Sequence, residues 1–229
     1  GQRLFQKWIK KRWFAPNDLK KLYAEGALKG IYVPYWTYDA NTAAYYHGEG
    51  GKSYTVRDKD GHTQTRVRWR NVSGRVEESF NDIQVCAAEA SLAETARRVS
   101  PYNTTENTRP FSPVYLSGYH AQHYSVKADE GFAEAKTEME AVLRDRARDD
   151  ILRKGYDQAR VDTLETTYYD VTYKHVLLPI WAASFGYKGK TYSYAINGET
   201  GRVGGSRPYS LAKIAVAVLA AIAAVVLVF

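Results

Sequence analysis

The sequence predicts an α+β fold: antiparallel β-sheet units, in two related copies, with a long amphipathic helix and a C-terminal transmembrane helix. Three observations predict it. Aromatic and β-branched runs punctuated by Gly recur on both sides of a charged helical stretch. Residues 129–154 place Phe132, Ala135, Met139, Val142, Leu143 and Ile151 at three- and four-residue steps among charged positions. The run from Ile214 to Phe229 contains no polar residue.

The elements follow in chain order. Residues 1–29 form a basic segment, with Arg3, Lys7, Lys10, Lys11, Arg12, Lys20, Lys21 and Lys29 against Asp18 and Glu25. Leu4, Phe5, Trp8, Ile9 and Trp13 share one face of a helix that Pro16 ends. That helix reads either as one lying in a membrane interface or as one packing its aromatic side chains into a core. Asn17 caps a second short helix, Asp18 to Glu25, which Gly26 stops.

Residues 30–203 form the α+β domain, with halves 30–127 and 156–203 joined by the helix over 129–154. Gly30 to Tyr46 and Lys52 to Arg57 are strands, and Asp58-Lys59-Asp60-Gly61 is a hairpin turn. Thr63 to Arg70 alternates cleanly, with Thr65, Val67 and Trp69 on one side and Arg66, Arg68 and Arg70 on the other. Residues 88–98 are a short helix, 100–113 a Pro-containing loop, and 121–127 a strand. Strands return over 160–172, 175–186 and 190–196, with a turn at 197–201. Ile31-Tyr32-Val33-Pro34-Tyr35-Trp36 echoes Val176-Leu177-Leu178-Pro179-Ile180-Trp181, the basis for two related copies. Pro34 and Pro179 lack an N–H, which places them at edges, strand starts or bulges.

Residues 204–210 are a linker, and 211–229 is the expected membrane helix. Its anchor residues are Ile214, Val216, Val218, Leu219, Ile222, Val225 and Leu227. Arg202, Arg207 and Lys213 flank it, and positive flanks mark the cytoplasmic side. The expected location is therefore the bacterial inner membrane, with the domain in the cytoplasm. Gly1 in place of an initiator Met, and an apolar run that ends at Phe229, predict further protein at both ends.

Chemistry is sparsely signalled. Cys86 is the only cysteine, so neither an internal disulfide nor a Cys-based zinc site is available within the chain. Gly189-Lys190-Thr191 fails as a phosphate loop: Ser184 stands where a Gly is required, and a strand pattern follows where a helix must. His120 and His123 lie in an extended context that turns them to opposite faces. The expected catalytic and metal sets are therefore empty, and the chain is expected to be a non-enzymatic interaction or scaffold protein within a membrane complex. Lys7, Trp8, Lys10, Lys11, Arg12 and Trp13 are the candidate contacts to a partner or to lipid. The alternative is a membrane-tethered nucleic-acid binder acting through Arg66, Arg68, Trp69 and Arg70. A net charge of +7 with 19 Tyr and 5 Trp suits either reading. A protein partner, or a second copy of the chain, is the expected companion alongside the membrane.

Three blocks carry a resemblance: KWIKKRWFAPNDLKK at 7–21, GIYVPYWTYDA at 30–40, and residues 174–214 from KHVLLPIW to SLAKI. Together they resemble bacterial TFIIB-type zinc-ribbon-containing proteins, some labelled primosomal protein N′ or superfamily II helicase. The resemblance implies a Cys-rich zinc ribbon preceding this region, so zinc would belong to a segment before Gly1. It also implies a flotillin-like (SPFH) membrane scaffold as partner. The helicase label has no counterpart here, with neither a phosphate loop nor an acidic Mg²⁺-binding motif.

Overall fold

The computed structural model describes residues 2–19, 28–57 and 62–226. The second short helix expected at 18–25 and the turn at 58–61 fall largely or wholly outside these residues. The elements are α1 (Gln2–Lys10), β1 (Lys29–Arg57), β2 (Thr63–Cys86), α2 (Ala90–Arg97), β3 (His120–Ala121), α3 (Ala128–Arg153), β4 (Gln158–Tyr187), β5 (Lys190–Asn197), β6 (Val203–Gly205) and α4 (Leu211–Val226). One six-stranded sheet runs β2-β1-β4-β5-β6, with β3 pairing parallel to β1. The segments expected as separate related units are thus neighbouring strands of one sheet.

The chain forms two compact units. One comprises residues 1–35, 86–125 and 176–229, the other 36–85 and 126–175. In the first unit, β5 alternates between two cores. Ala195 packs with Val33, Tyr35, Leu178 and Ile180 against Ala93 and Ala96 of α2. Tyr194 and Ile196 face the opposite way, toward Phe5 and Ile9 of α1 and toward Phe185. The sheet there is covered on both faces, which the two-residue period requires of a strand apolar at every position. The aromatic side of α1 therefore enters a core, with Phe5 and Ile9 buried.

β4 and β5 are joined by a two-residue turn. Tyr187 pairs with Lys190, and both Lys188 and Gly189 have positive φ. That is the primed hairpin turn that matches strand twist, and it accounts for the false phosphate-loop signal. Pro34 and Pro179 lie within long strands, opposite places where a neighbouring strand has just ended. The Ala87 N–H donates to the Pro34 carbonyl (2.9 Å), and the Gly198 N–H to that of Pro179 (2.9 Å).

In the second unit, side-chain contacts pair Thr42 with Glu78 and Tyr46 with Gly74 across β1 and β2, which therefore run antiparallel. Asn41 with Asp170 and Asp39 with Thr172 show the same for β1 and β4. α3 lies over one face. It buries Gly131, Ala135, Met139, Leu143, Ala147 and Ile151, a strict four-residue stripe. Such a stripe drifts about 40° per step around a helix of 3.6 residues per turn, and so follows a twisted sheet. Val142, expected in the core, is 40% exposed because it falls off that stripe. The Tyr38 hydroxyl donates to the Ala128 carbonyl at one end of α3 (2.7 Å). At the other end the Tyr46 hydroxyl donates to Asp150 (2.5 Å) and accepts from Lys154 (2.8 Å).

The C-terminal helix corrects the expected fold class. α4 has 16 residues, about 24 Å at 1.5 Å each, against a hydrocarbon core of about 30 Å. Among the described residues, no helix is long and apolar enough to cross a membrane. Lys213 is no interfacial flank. Its ammonium donates to the Trp13 carbonyl (3.0 Å), the Ala15 carbonyl (2.8 Å) and Asn17 Oδ1 (2.7 Å), fixing the first turn of α4 to the segment after α1. Arg207 sits over the rings of Trp8 and Tyr209. Of the expected anchor residues, Val216, Val218, Leu219, Ile222 and Val225 are exposed, Ile214 is half-buried, and Leu227 lies outside the described residues. The membrane assignment and the inner-membrane location lose their basis with the helix.

Candidate functional site

Within the second unit, residues of β1, β2 and the segment after α3 enclose a cleft of about 380 Å³. It is lined by Lys52, Tyr54, Arg68, Arg70 and Tyr156. Local sequence explains each placement. Arg68 and Arg70 are two apart on β2, so the strand period turns both to one side. Tyr54 comes from β1, and the Arg68 guanidinium lies 5.3 Å from its ring centre. α3 ends at Gly155, whose φ of +93° reverses the chain. Tyr156 then falls across β1 at Gly50, where any Cβ would overlap its ring.

A second glycine completes the arrangement. A Cβ on Gly51 would approach Val67 Cγ1 at 2.7 Å and the Trp69 ring at 3.0 Å. Consecutive positions of a strand face opposite sides, so Gly50 and Gly51 let aromatic rings press on β1 from both. Trp69 therefore points away from the cleft. The Arg160 guanidinium covers it at 3.8 Å, with Glu49 at 3.7 Å from that guanidinium.

The electrostatics of the cleft are one-sided. Lys52 is tied to the Gly155 carbonyl (2.8 Å) and to Asp157 Oδ1 (3.2 Å). Asp157 Oδ2 accepts from the Ser53 N–H (2.8 Å). The Ser53 amide, with Lys52 beside it, holds the Asp157 carboxyl below the ordinary carboxylate range. Asp157 thus offsets Lys52. Among the described residues, neither Arg68 nor Arg70 is in an ion pair. Two exposed guanidiniums and two phenol rings then face one recess, an arrangement that favours a planar or phosphorylated anion.

Of the sequence-predicted residues, the structure brings Arg68 and Arg70 together. It leaves Arg66 farther along the same strand and sends Trp69 to the other face. Lys7, Lys10, Lys11 and Arg12 are exposed on or just after α1. Trp8 is half-buried beside Phe5, under Arg12 at 5.7 Å, while Trp13 is 56% exposed and packs edge-on against Phe14. Lys52, Tyr54 and Tyr156 escaped the sequence reading. The signal for them was the pair Gly50-Gly51 inside a strand and Gly155 after a helix. Each marks a close approach of a ring or a reversal of the chain. His120 lies in β3, and no cluster of three or more His, Cys, Asp or Glu able to hold a metal occurs among the described residues.

No protein-family model and no solved structure matches the chain. It is similar to the uncharacterized protein YdjG of Bacillus subtilis (strain 168), with 26% identity over 215 residues. The match covers 94% of this chain and 62% of that relative, so the chain spans less than two thirds of the relative's length.

Proposed function

We propose that this chain is a non-enzymatic interaction module that holds an anionic partner in the cleft of the second unit. The observation that carries the reading is the convergence of Arg68 and Arg70 with Tyr54 and Tyr156, while Asp157 is occupied by Lys52. The lining groups are cations and phenols, which suit binding; a nucleophile paired with a base does not occur among them.

The test separates the cleft from the general basicity of the chain. Retention of the full chain on immobilised polyanion is compared with that of Arg68→Glu/Arg70→Glu and of Lys7→Glu/Lys10→Glu. The two variants change net charge equally. The expected result is that the first elutes at much lower salt and the second close to the parent. Equal losses in both would assign the binding to net charge and remove the cleft from the reading.

A further inference from the structure

We infer that the anion held in the cleft is single-stranded nucleic acid, with a base against Tyr54 and Tyr156 and the backbone phosphates on the arginines of β2; this rests on the anion-binding reading above. Four features narrow the ligand.

First, the cations are arginines with planar forks that match phosphate bidentately. Second, they sit beside aromatic rings, and base–aromatic stacking adds affinity that a carboxylate-bearing partner cannot draw on. The Tyr156 ring is held in place because it lies on Gly50, so its position is set before any ligand arrives. Third, a recess of about 380 Å³ suits a single small group rather than the outside of a duplex, whose bases are turned inward. Fourth, Arg66, Arg68 and Arg70 step along β2 by roughly 7 Å, twice the rise of a strand residue. A row of cations at a regular pitch offers a track for a polyphosphate backbone, as in grooves that follow single strands.

The experiment uses the full chain and four probes followed by fluorescence anisotropy at low salt: a dT15 oligonucleotide, an abasic oligomer of equal charge, a 15-base-pair duplex, and polyglutamate. The expected outcome is that dT15 binds most tightly. Its affinity should fall with salt at a log–log slope of about −1.4 to −2.1, the release expected from two or three phosphate contacts. Tyr54→Ala and Tyr156→Ala each weaken dT15 by about 5- to 100-fold and leave the abasic oligomer unchanged. Arg68→Glu/Arg70→Glu abolishes both. Tyr54 and the two arginines are exposed, and circular dichroism verifies that each variant is folded. If the abasic oligomer or polyglutamate binds as tightly as dT15, base stacking is wrong while the anion cleft survives. Tighter binding of the duplex overturns the single-strand assignment. Failure of every probe at low salt overturns both readings.

Discussion

Gly50 decides more about the candidate site than any charged residue does. It has no side chain, and that is why Tyr156 can lie on β1. Gly50→Ala is expected to displace the Tyr156 ring and to lower oligonucleotide affinity as much as Tyr156→Ala does, with an unchanged far-ultraviolet spectrum. Gly51→Ala presses instead on Val67 and Trp69, on the other side of the strand, and is expected to leave that affinity intact. The same scale governs pH dependence. The Tyr46 hydroxyl, with Lys154 nearby, holds the Asp150 carboxyl below the usual carboxylate range, and Tyr46 and Asp150 hold Lys154 above the usual lysine range. Asp150 therefore contributes stability above about pH 4, lost as pH falls through its lowered value. Lys154 contributes below about pH 10, lost as pH rises through its raised value. Urea midpoints measured from pH 2 to pH 11 should form a plateau with two falling limbs, and Asp150→Asn should flatten the acid limb. Tyr46→Phe removes the donor to a partly buried carboxylate and should cost about 1–3 kcal/mol at neutral pH. Lys154 is 39% exposed along its side chain, so its own share is screened and small.

Among the elements, α3 was legible almost to the residue, because charge on its outer face leaves a distinct apolar stripe. The expected 129–154 compares with Ala128–Arg153. Its inner line was read less well. Val142 looked like core but points outward, whereas Gly131 and Ala147 are buried and carried no hydrophobic signal. Met139→Ala is accordingly expected to cost about 2–5 kcal/mol, and Val142→Ala to stay within about 0.5 kcal/mol, by chemical denaturation. The long strands were read as fragments. β1 runs unbroken through residues 47–51, where two strands, Gly30 to Tyr46 and Lys52 to Arg57, were expected, and its glycines let rings and backbone close on it. β4 likewise runs unbroken where strands over 160–172 and 175–186 were expected, with Asp170 at positive φ, which shifts the pleat within the strand. The terminal helix misled for another reason. Hydropathy registers the alanines and valines of 214–229, but the decisive contacts of Lys213 lie with residues far away in sequence. Of the cleft, the arginine row was visible as alternation on one strand. The tyrosines were not, because their convergence depends on pairing and on a turn.

Taken whole, the molecule is assembled out of chain order. β1 contributes residues 29–35 to one compact unit and 36–57 to the other, and β4 divides similarly at 175 and 176. Cutting the chain between Ser125 and Val126 would strip α3 and β4 from β1 and β2, and would expose the apolar face bearing Tyr38 and Tyr46. Neither fragment 1–125 nor fragment 126–229 is expected to show a cooperative unfolding transition by calorimetry, whereas the full chain should. A consequence reaches into inheritance. When two divergent genes of this kind recombine, a single crossover inside codons 36–175 leaves neither unit with one parent's residues throughout. Both become hybrids at once, so such genes can trade strands and helices only where both parents' packing agrees, and a clean exchange of either unit takes four breakpoints.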